Sequence, residues 1–355
     1  MQVEVNNAEK FHLATSEAGE TVSVIVPCYN EERFIGKALR NLALQYDNDR
    51  YEIVVIDGGS TDRTLQVIDE FISAHPQLSV KVLNNPARAI PISLNLGITA
   101  ARGEIIARMD AHAVPSTGYI RNCVATLNQN SNGVVGAPCN VLPPDDTLMA
   151  RAIAFGVSSR FGIGDAKYRL KEGKRKQESV DTVAFACFRR ELWQELGGFD
   201  ERLLTNEDYD FNYRVRKRGG TVLLDRGEHC DYFSRATLGD LAPQYFRYGQ
   251  WKARMLRQHP SSVRLRHLVA PLFVLSIVLL SLSGFFWPWA WAILGIELLL
   301  YLLAALKFAW KAKQQLAAGL SGLLVMPLVF VTIHVSWGTS FWIGLFSSFS
   351  RVKSR

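Results

Sequence analysis

Two consecutive apolar runs near the end of the chain restrict its fold more than any other feature of the sequence. Residues 268–286 and 287–306 each have about the 20 residues that cross the hydrocarbon core of a bilayer. The first run has no charged side chain, and the second has only Glu297. A third apolar stretch, residues 316–346, is too long for one untilted span and too short for two. The sequence therefore predicts a membrane region, residues 268–346, behind a soluble head.

The charge distribution predicts the orientation of this membrane region. The formal net charge is +7, and basic residues are concentrated in residues 171–176 and 252–266. A solvated surface is the simplest interpretation of such clusters, but the second one directly precedes the first span, where basic residues favour anionic headgroups and the cytoplasmic side. Residues 1–20 form a polar segment without the apolar core of a signal peptide. We therefore expect a multi-pass protein of the plasma (inner) membrane, in contact with membrane lipids, whose head is cytoplasmic.

The end of the membrane region has two possible arrangements. A single crossing of the third stretch would place the basic tail, residues 347–355, outside, against the positive-inside rule. A break near Pro327, with an interfacial or re-entrant first half, would keep the tail inside. We expect the second arrangement, with an irregular third segment and a cytoplasmic C-terminus.

The sequence disfavours three kinds of site. Its five cysteines are odd in number and lack CxxC spacing, which predicts reduced, buried thiols rather than a disulfide framework or a zinc site. No G-x-G-x-x-G fingerprint follows the first predicted strand, so a dinucleotide-binding dehydrogenase is disfavoured. No nucleic-acid-binding motif accompanies the basic clusters, and we expect no nucleic-acid partner.

The head, residues 21–250, alternates short apolar strands with helices. Strands are predicted at residues 21–26, 52–56, 80–83 and 105–109, and helices at residues 31–44, 61–74 and 92–101. This alternation indicates βαβ units and a Rossmann-like, mostly parallel α/β sheet flanked by helices. Ligands of such sheets bind beyond the carboxyl ends of the strands. Polar residues follow three of the predicted strands there, namely Asn30, Glu31, Asp57 and Asp110.

The segment that begins at Asp57 has two interpretations. The Asp57 carboxylate could accept hydrogen bonds from a base or a ribose, and the two glycines after it would let the backbone approach closely. The same D-G-G-S-T-D sequence also forms a good turn followed by a helix cap.

Asp110 and His112 also allow two interpretations. In an extended segment they face the same side and could hold Mg²⁺ or Mn²⁺ against a diphosphate, with the carboxylate as the firmer ligand. The alternative is a hydrogen-bonded loop without a metal.

Glu207 and Asp208 precede a predicted helix, residues 209–218. Acidic residues are favoured at a helix N-terminus without any catalytic role. The functional alternative is that Asp208 accepts the proton of an attacking hydroxyl group.

Four segments, in this order, carry a resemblance to a known family: VSVIVPCYNEERFIGKAL, VVIDGGSTDRT, ARMDAHAVP and GGFDERLLTNEDYDFNYRVRKRGG. Over residues 21–260 the chain resembles family 2 glycosyltransferases of the GT-A fold. It is most similar to membrane-bound enzymes of exopolysaccharide assembly, such as the succinoglycan-type transferases. The resemblance implies a GT-A-type domain, and the C-terminal spans are in keeping with it. The basic residues between the head and the first span define a juxtamembrane segment at residues 251–267.

The resemblance also implies roles for single residues. The positions that hold the nucleoside in the family correspond to Pro27, Asn30, Glu31 and Asp57. The first acid of the DxD metal motif corresponds to Asp110, and the catalytic base of the ED motif corresponds to Asp208, with Glu207 beside it. His112 stands where the family has the second DxD acid, so the identity of the metal and the role of His112 as a ligand stay open. Arg254, or Arg247, either contacts the diphosphate or is only a juxtamembrane charge.

The function implied by the resemblance is that of an inverting, metal-dependent glycosyltransferase. It would move one sugar from a nucleotide sugar, a UDP-hexose such as UDP-glucose, to a polyprenyl-diphosphate-linked saccharide in exopolysaccharide biosynthesis. A processive polysaccharide synthase is the first alternative, but Gln250 and Trp251 only echo the spaced QxxRW signature of such enzymes. A non-catalytic membrane scaffold that retains the fold is the second. The sequence leaves the oligomeric state open.

Overall fold

The computed structural model describes residues 20–47, 50–170, 173, 175–316 and 319–347, and no side chains of residues 313–320. Apart from residues 20 and 347, the polar N-terminal segment and the basic tail lie outside these residues. Half of the basic cluster at residues 171–176 also lies outside them.

The head is built on an eight-stranded sheet and a small three-stranded sheet. The strand order is β3-β2-β1-β4-β9-β6-β10-β8 in the large sheet and β5-β11-β7 in the small one. The strands are β1 (Val22–Cys28), β2 (Tyr51–Asp57), β3 (Ser79–Asn84), β4 (Ile105–Arg108), β5 (Ala113–Pro115), β6 (Gly133–Gly136), β7 (Cys139–Leu142), β8 (Gln177–Ser179), β9 (Cys187–Arg189), β10 (Thr221–Asp225) and β11 (Cys230–Phe233).

The first four strands pair in parallel, which confirms the predicted mostly parallel sheet. Both faces of β1 and β2 are buried, as expected for continuous runs of β-branched residues. Strand β9 enters between β4 and β6 and is antiparallel to both.

Nine helices of the described residues surround the sheets and connect the head to the membrane region. They are α1 (Ile35–Leu42), α2 (Thr64–Ala74), α3 (Ile90–Ala100), α4 (Tyr119–Gln129), α5 (Leu148–Gly156), α6 (Arg160–Ile163), α7 (Arg190–Leu196), α8 (Glu207–Lys217) and α9 (Leu238–Gln258). Helix α9 runs through residue 250, where the glycosyltransferase-like domain was expected to end.

The helix predicted at residues 31–44 begins four residues later, at α1. The reason is a tertiary contact: the backbone N–H of Glu31 donates to Thr64 Oγ1 over 2.8 Å, which holds residues 31–34 in a turn against the loop before α2. Helix α2 likewise begins at Thr64 rather than at residue 61, and Asp62 accepts the backbone N–H of Thr64 over 3.0 Å.

Three further helices are long and apolar enough to cross a membrane: α10 (Leu265–Ser283), α11 (Pro288–Leu316) and α12 (Gly319–Phe346). The segment between α10 and α11 exposes large aromatic side chains, including Phe286 and Trp287. Aromatic residues are typical of the membrane–water interface.

The predicted break near Pro327 is wrong, because α12 is one helix through this proline. Close packing along the helix explains its continuity. Next to the proline, Met326, Val329 and Phe330 are fully buried, and a Cβ atom on Gly156 of α5 would lie 2.6 Å from Val329 Cγ1. Membrane helices tolerate an internal proline when neighbouring helices support them.

Candidate functional site

A cleft of about 1650 Å³ lies where the carboxyl end of β4 meets the start of α8. Asp110 and His112, which follow β4, and Glu207 and Asp208, which begin α8, all line it. The structure therefore brings together both of the acidic motifs that were singled out from the sequence.

Arg108, the last residue of β4, holds these two motifs together. Its Nη1 lies 2.8 Å from Glu207 Oε1, and its Nε lies 3.3 Å from Asp110 Oδ1. The side chain is only 8% exposed, so both ion pairs are largely shielded from solvent. Arg108 was not predicted as a site residue, although it stands two residues before Asp110 in the ARMDAHAVP segment.

The pKa values of Glu207 and Arg108 are both raised, but for different reasons. Burial raises the pKa of Glu207 to about 7, although the positive charge of Arg108 opposes the rise. Burial alone would lower the pKa of Arg108, but Asp110 and Glu207 outweigh it and raise that pKa. Arg108 is therefore a fixed cation between the two motifs.

Asp208 lies in the first turn of α8 and is half-buried on the cleft wall. The turn before it is set by Asn206, which has a φ of 68° in the left-handed region that asparagine tolerates. The side chain of Asn206 also donates to the Tyr248 carbonyl oxygen of α9 over 3.4 Å. The start of α8 is thereby fixed between β4 and α9.

His112 is oriented by a residue from another loop. Its Nδ1 lies 2.9 Å from Glu31 Oε1, so Nε2 is the ring nitrogen left for a further partner. Burial alone would lower the pKa of His112, but the hydrogen bond to Glu31 and the charge of Asp110 raise it. Among the described residues, no group of three His, Cys, Asp or Glu side chains could hold a metal ion. Asp110 and His112 would therefore need further ligands, such as diphosphate oxygens, to bind one.

The Asp57 carboxylate, only 3% exposed, is occupied by its own turn. It accepts from the Gly59 backbone N–H over 2.9 Å, the Ser60 backbone N–H over 3.0 Å and the Ser60 hydroxyl over 2.6 Å. Asn30 Oδ1 accepts the backbone N–H of Thr61 over 2.8 Å, which joins the loops after β1 and β2.

The four predicted nucleoside residues, Pro27, Asn30, Glu31 and Asp57, lie in or beside these joined loops rather than among the described residues of the cleft wall. The neighbouring cleft wall contains Arg88, which the sequence analysis missed. Its guanidinium group lies 4.8 Å from the centre of the Tyr29 ring, and its Nε donates to the Gly58 carbonyl oxygen over 3.0 Å.

Helix α9 forms a basic wall of the cleft. Arg254 stacks on Trp251, 4.5 Å from the ring centre, and its buried Nε has no hydrogen-bond partner among the described residues. Burial lowers the pKa of Arg254, and the charge of Arg257 adds to the effect. Arg247 lines the same wall and is exposed. Among the described residues, Arg254 Nε therefore offers a free donor on this wall, some 40 residues after Glu207 and Asp208 along the chain.

Sequence comparisons identify relatives over most of the chain. The model of the protein family described as "Glycosyl transferase family 2" matches residues 23–197. A dolichyl N-acetyl-alpha-D-glucosaminyl phosphate 3-beta-D-2,3-diacetamido-2,3-dideoxy-beta-D-glucuronosyltransferase of Methanococcus voltae is 27% identical over 67% of this chain and 74% of its own length. The succinoglycan biosynthesis protein ExoA of Rhizobium meliloti (strain 1021) is 28% identical over 93% of this chain and 97% of its own length.

A solved structure supports the fold. The mannosyltransferase PcManGT from Pyrobaculum calidifontis, in complex with GDP-Man and Mn²⁺, superposes with a TM-score of 0.59 and 23% identity. The match covers 92% of this chain and 87% of the other. Together with the sheet order and the matched segment, these likenesses show that the chain contains a glycosyltransferase domain of family 2 with the GT-A fold, followed by three helices that are long and apolar enough to cross a membrane.

Proposed function

We propose that the protein is an inverting glycosyltransferase that moves one sugar from a nucleotide sugar to a polyprenyl-diphosphate-linked saccharide in exopolysaccharide biosynthesis. The observation that carries this proposal is the convergence of Asp110, Glu207 and Asp208 around Arg108 in one cleft. The likeness to a succinoglycan biosynthesis protein over nearly the whole chain supports the biosynthetic setting.

The donor that we propose is a UDP-hexose such as UDP-glucose. Its nucleoside would bind at the loops of Pro27, Asn30, Glu31 and Asp57, and its diphosphate would lie between Asp110 and the basic wall that contains Arg254. Arg88 and Tyr29 supply a cation and a ring face beside these loops, where a base can stack.

Asp110 and His112 would hold Mg²⁺ or Mn²⁺ together with diphosphate oxygens. The carboxylate oxygen suits either ion and the imidazole is the weaker ligand, and the small number of protein donors suits a metal that arrives with its substrate. When bound, the metal would neutralise the charge that develops on the departing nucleotide diphosphate.

Asp208 would act as the general base. Its carboxylate would accept the proton of the acceptor hydroxyl while the hydroxyl oxygen bonds to the anomeric carbon and the bond to the diphosphate breaks. One in-line displacement inverts the configuration, so an α-linked donor gives a β-linked product. Glu207 and Arg108 would position this base, because their ion pair fixes the first turn of α8 to the end of β4.

We also propose that the head is cytoplasmic and that α10, α11 and α12 anchor it in the plasma membrane. The basic residues 252–266 before α10 support this orientation. The continuity of α12 removes the support for a cytoplasmic C-terminus, because three full crossings place the two ends of the membrane region on opposite sides. We keep the division at residues 250 and 267 as the boundaries between head, juxtamembrane segment and spans.

The purified full chain, supplied with a panel of nucleotide sugars and a membrane lipid extract, tests the proposed function. We expect one nucleotide sugar to be consumed with a divalent metal present and one sugar to be added to a lipid-linked product. Replacing Asp110 with Ala should weaken both metal-dependent nucleotide binding and turnover. Unchanged metal dependence of nucleotide binding in that variant would contradict the ligand assignment, and absence of turnover with every donor would contradict the proposed function.

A further inference from the structure

The cleft is larger than one substrate requires, and it extends to the candidate membrane helices. Its volume of about 1650 Å³ exceeds the roughly 300–1,000 Å³ of common small-molecule sites. Beyond the acidic motifs its walls come from α10, α11 and α12. We define the membrane-side groove as the part of the cleft lined by Val269, Phe273, Tyr301, Ile333, His334 and Trp337.

The groove is continuous with the start of α8. Tyr209, next to Asp208, packs its ring 5.4 Å from the ring of His267 at the start of α10. The ring of His267 in turn lies 6.5 Å from that of Trp337 on α12. A molecule that reaches Asp208 can therefore extend along one wall into the groove.

The polar groups of the groove are already bonded within the protein. The Tyr301 hydroxyl lies 2.9 Å from His334 Nδ1, and His334 Nε2 lies 2.8 Å from the Phe161 carbonyl oxygen. Trp337 Nε1 donates to the His267 carbonyl oxygen over 3.4 Å. These side chains consequently present carbon surfaces to the groove, which suits a hydrocarbon and does not suit a sugar.

The charge of the cleft wall suits an anion next to that hydrocarbon. Nine arginine side chains line the whole cleft, against four carboxylates, among the described residues. The lysine on this wall, Lys252, is not counted, because burial lowers its pKa well below the usual value. Val269, at the other end of the groove, is 59% exposed on the surface of α10 that would face lipid. The groove therefore opens towards the bilayer and leads from there to a basic cleft.

We propose that the membrane-side groove binds the hydrocarbon chain of the polyprenyl-diphosphate-linked acceptor. The chain enters from the bilayer past Val269, the diphosphate lies in the basic part of the cleft, and the saccharide reaches Asp208. This proposal rests on the proposed function, to which it adds the site and the path of the second substrate.

The test is photolabelling of the full chain in lipid nanodiscs with farnesyl diphosphate that carries a diazirine on its terminal isoprene unit. We expect the label within residues 269–273 and 333–337. Val269→Trp, which fills the groove, should lower the affinity for the probe about tenfold. Leu272→Trp is the matched control, because Leu272 lies on the same helix and is 53% exposed but does not line the cleft. It should label as the wild type does, and both variants should bind nucleotide sugar normally.

Two results would contradict the assignment of the groove to the acceptor chain while leaving the proposed function intact. One is equal labelling of both variants. The other is displacement of the probe by dioleoyl phosphatidylglycerol, which would show that the groove is a general lipid surface. Normal labelling of a wild-type protein that neither binds nor turns over any nucleotide sugar would instead overturn the proposed function. A lowered affinity for the probe in Val269→Trp alone, together with a raised KM for the lipid-linked acceptor and an unchanged KM for the nucleotide sugar, supports both.

Discussion

The loop after β2 and the start of α8 are both acidic segments at the end of a structural element, yet they use their carboxylates differently. In the loop, Asp57 is buried and accepts two backbone N–H groups and one hydroxyl of its own turn. At the start of α8, Glu207 is held by Arg108, a residue from another element, and Asp208 beside it is half-buried on the cleft wall.

The difference shows that the donors around a carboxylate decide what it can do. A carboxylate surrounded by the backbone donors of its own turn fixes that turn, and removing it leaves buried N–H groups unpaired. A carboxylate at the edge of a cleft, next to a compensated ion pair, is free to accept a proton from a substrate. The comparison predicts that changes at Asp57 act mainly on stability and that changes at Asp208 act mainly on rate.

The largest expected effect is that of Asp208→Asn on transfer. The variant keeps the shape of the side chain but loses proton acceptance, so we expect the rate to fall by about 10²–10⁴-fold, the usual contribution of a general base. Nucleotide binding should be nearly unchanged, because Asp110 is untouched. Single-turnover kinetics and calorimetric nucleotide titration measure the two quantities.

The matched control for this variant is Glu201→Gln. Glu201 is an exposed carboxylate on the wall of the same cleft, and it accepts from Asn95 rather than from Arg108. It should keep the wild-type rate. A rate close to wild type in Asp208→Asn would remove Asp208 from the role of base.

The second prediction concerns pH and the free energy of unfolding. Burial raises the pKa of Glu207 from 4.5 to about 7, so the folded state keeps a proton that the unfolded chain has already released. Stability is therefore lost as the pH rises from about 4.5 to about 7, by an upper limit of roughly 3 kcal/mol, and the loss is complete above that range.

Glu207→Gln should remove most of this pH dependence, because glutamine does not titrate and still offers Arg108 an oxygen. Thermal unfolding in detergent between pH 5 and pH 8 measures the effect. If the melting temperature of Glu207→Gln falls with pH as steeply as that of the wild type, other groups cause the pH dependence.

The third prediction uses the loop after β2. Asp57→Ala leaves two backbone N–H groups and one hydroxyl without their acceptor, so we expect it to lower the free energy of unfolding by about 1–3 kcal/mol. Asp208 accepts only one backbone N–H among the described residues, that of Tyr209 over 2.6 Å, so Asp208→Ala should lower the free energy of unfolding by less, about 0.5–1 kcal/mol. Equal shifts of the melting temperature in the two variants would show that the two carboxylates stabilise the fold to the same extent, which contradicts this prediction.

The sequence was sufficient for the first half of the fold and insufficient for the second. Strands β1 to β4 were predicted close to their observed bounds, because their short runs rich in β-branched residues pair in parallel, and those of β1, β2 and β4 are buried. Strands β8 and β9 have only three residues each, and their pairing depends on contacts with distant strands. The continuity of α12 through Pro327 likewise depends on packing against a distant element, α5.

The candidate site could also be predicted only in part from the sequence. Asp110, His112, Glu207 and Asp208 were singled out because motifs at element ends can be recognised locally. All four line the cleft, and their roles stay predictions. Arg108 was missed because its importance lies in an ion pair with a residue 99 positions away, for which a strand-end arginine gives no local signal. The same limit applies to Glu31, whose contact with His112 joins two loops 81 positions apart.

The smallest expected effect comes from Glu31, and it tests whether a carboxylate can act through a neighbour, a third use beside those at Asp57 and Asp208. The Glu31 carboxylate fixes the His112 ring through Nδ1 and leaves Nε2 towards the cleft. Carboxylates in this position orient a metal-binding imidazole, and their loss commonly weakens metal affinity by about 10–100-fold. Because Asp110 remains as the firmer ligand, we expect Glu31→Gln to weaken Mn²⁺ binding in the presence of nucleoside diphosphate by about tenfold, measured by electron paramagnetic resonance titration.

Glu32→Gln is the control, since Glu32 accepts the backbone N–H of Arg63 instead. If Glu31 contacts only the nucleoside, Glu31→Gln will instead weaken nucleotide binding equally with and without metal.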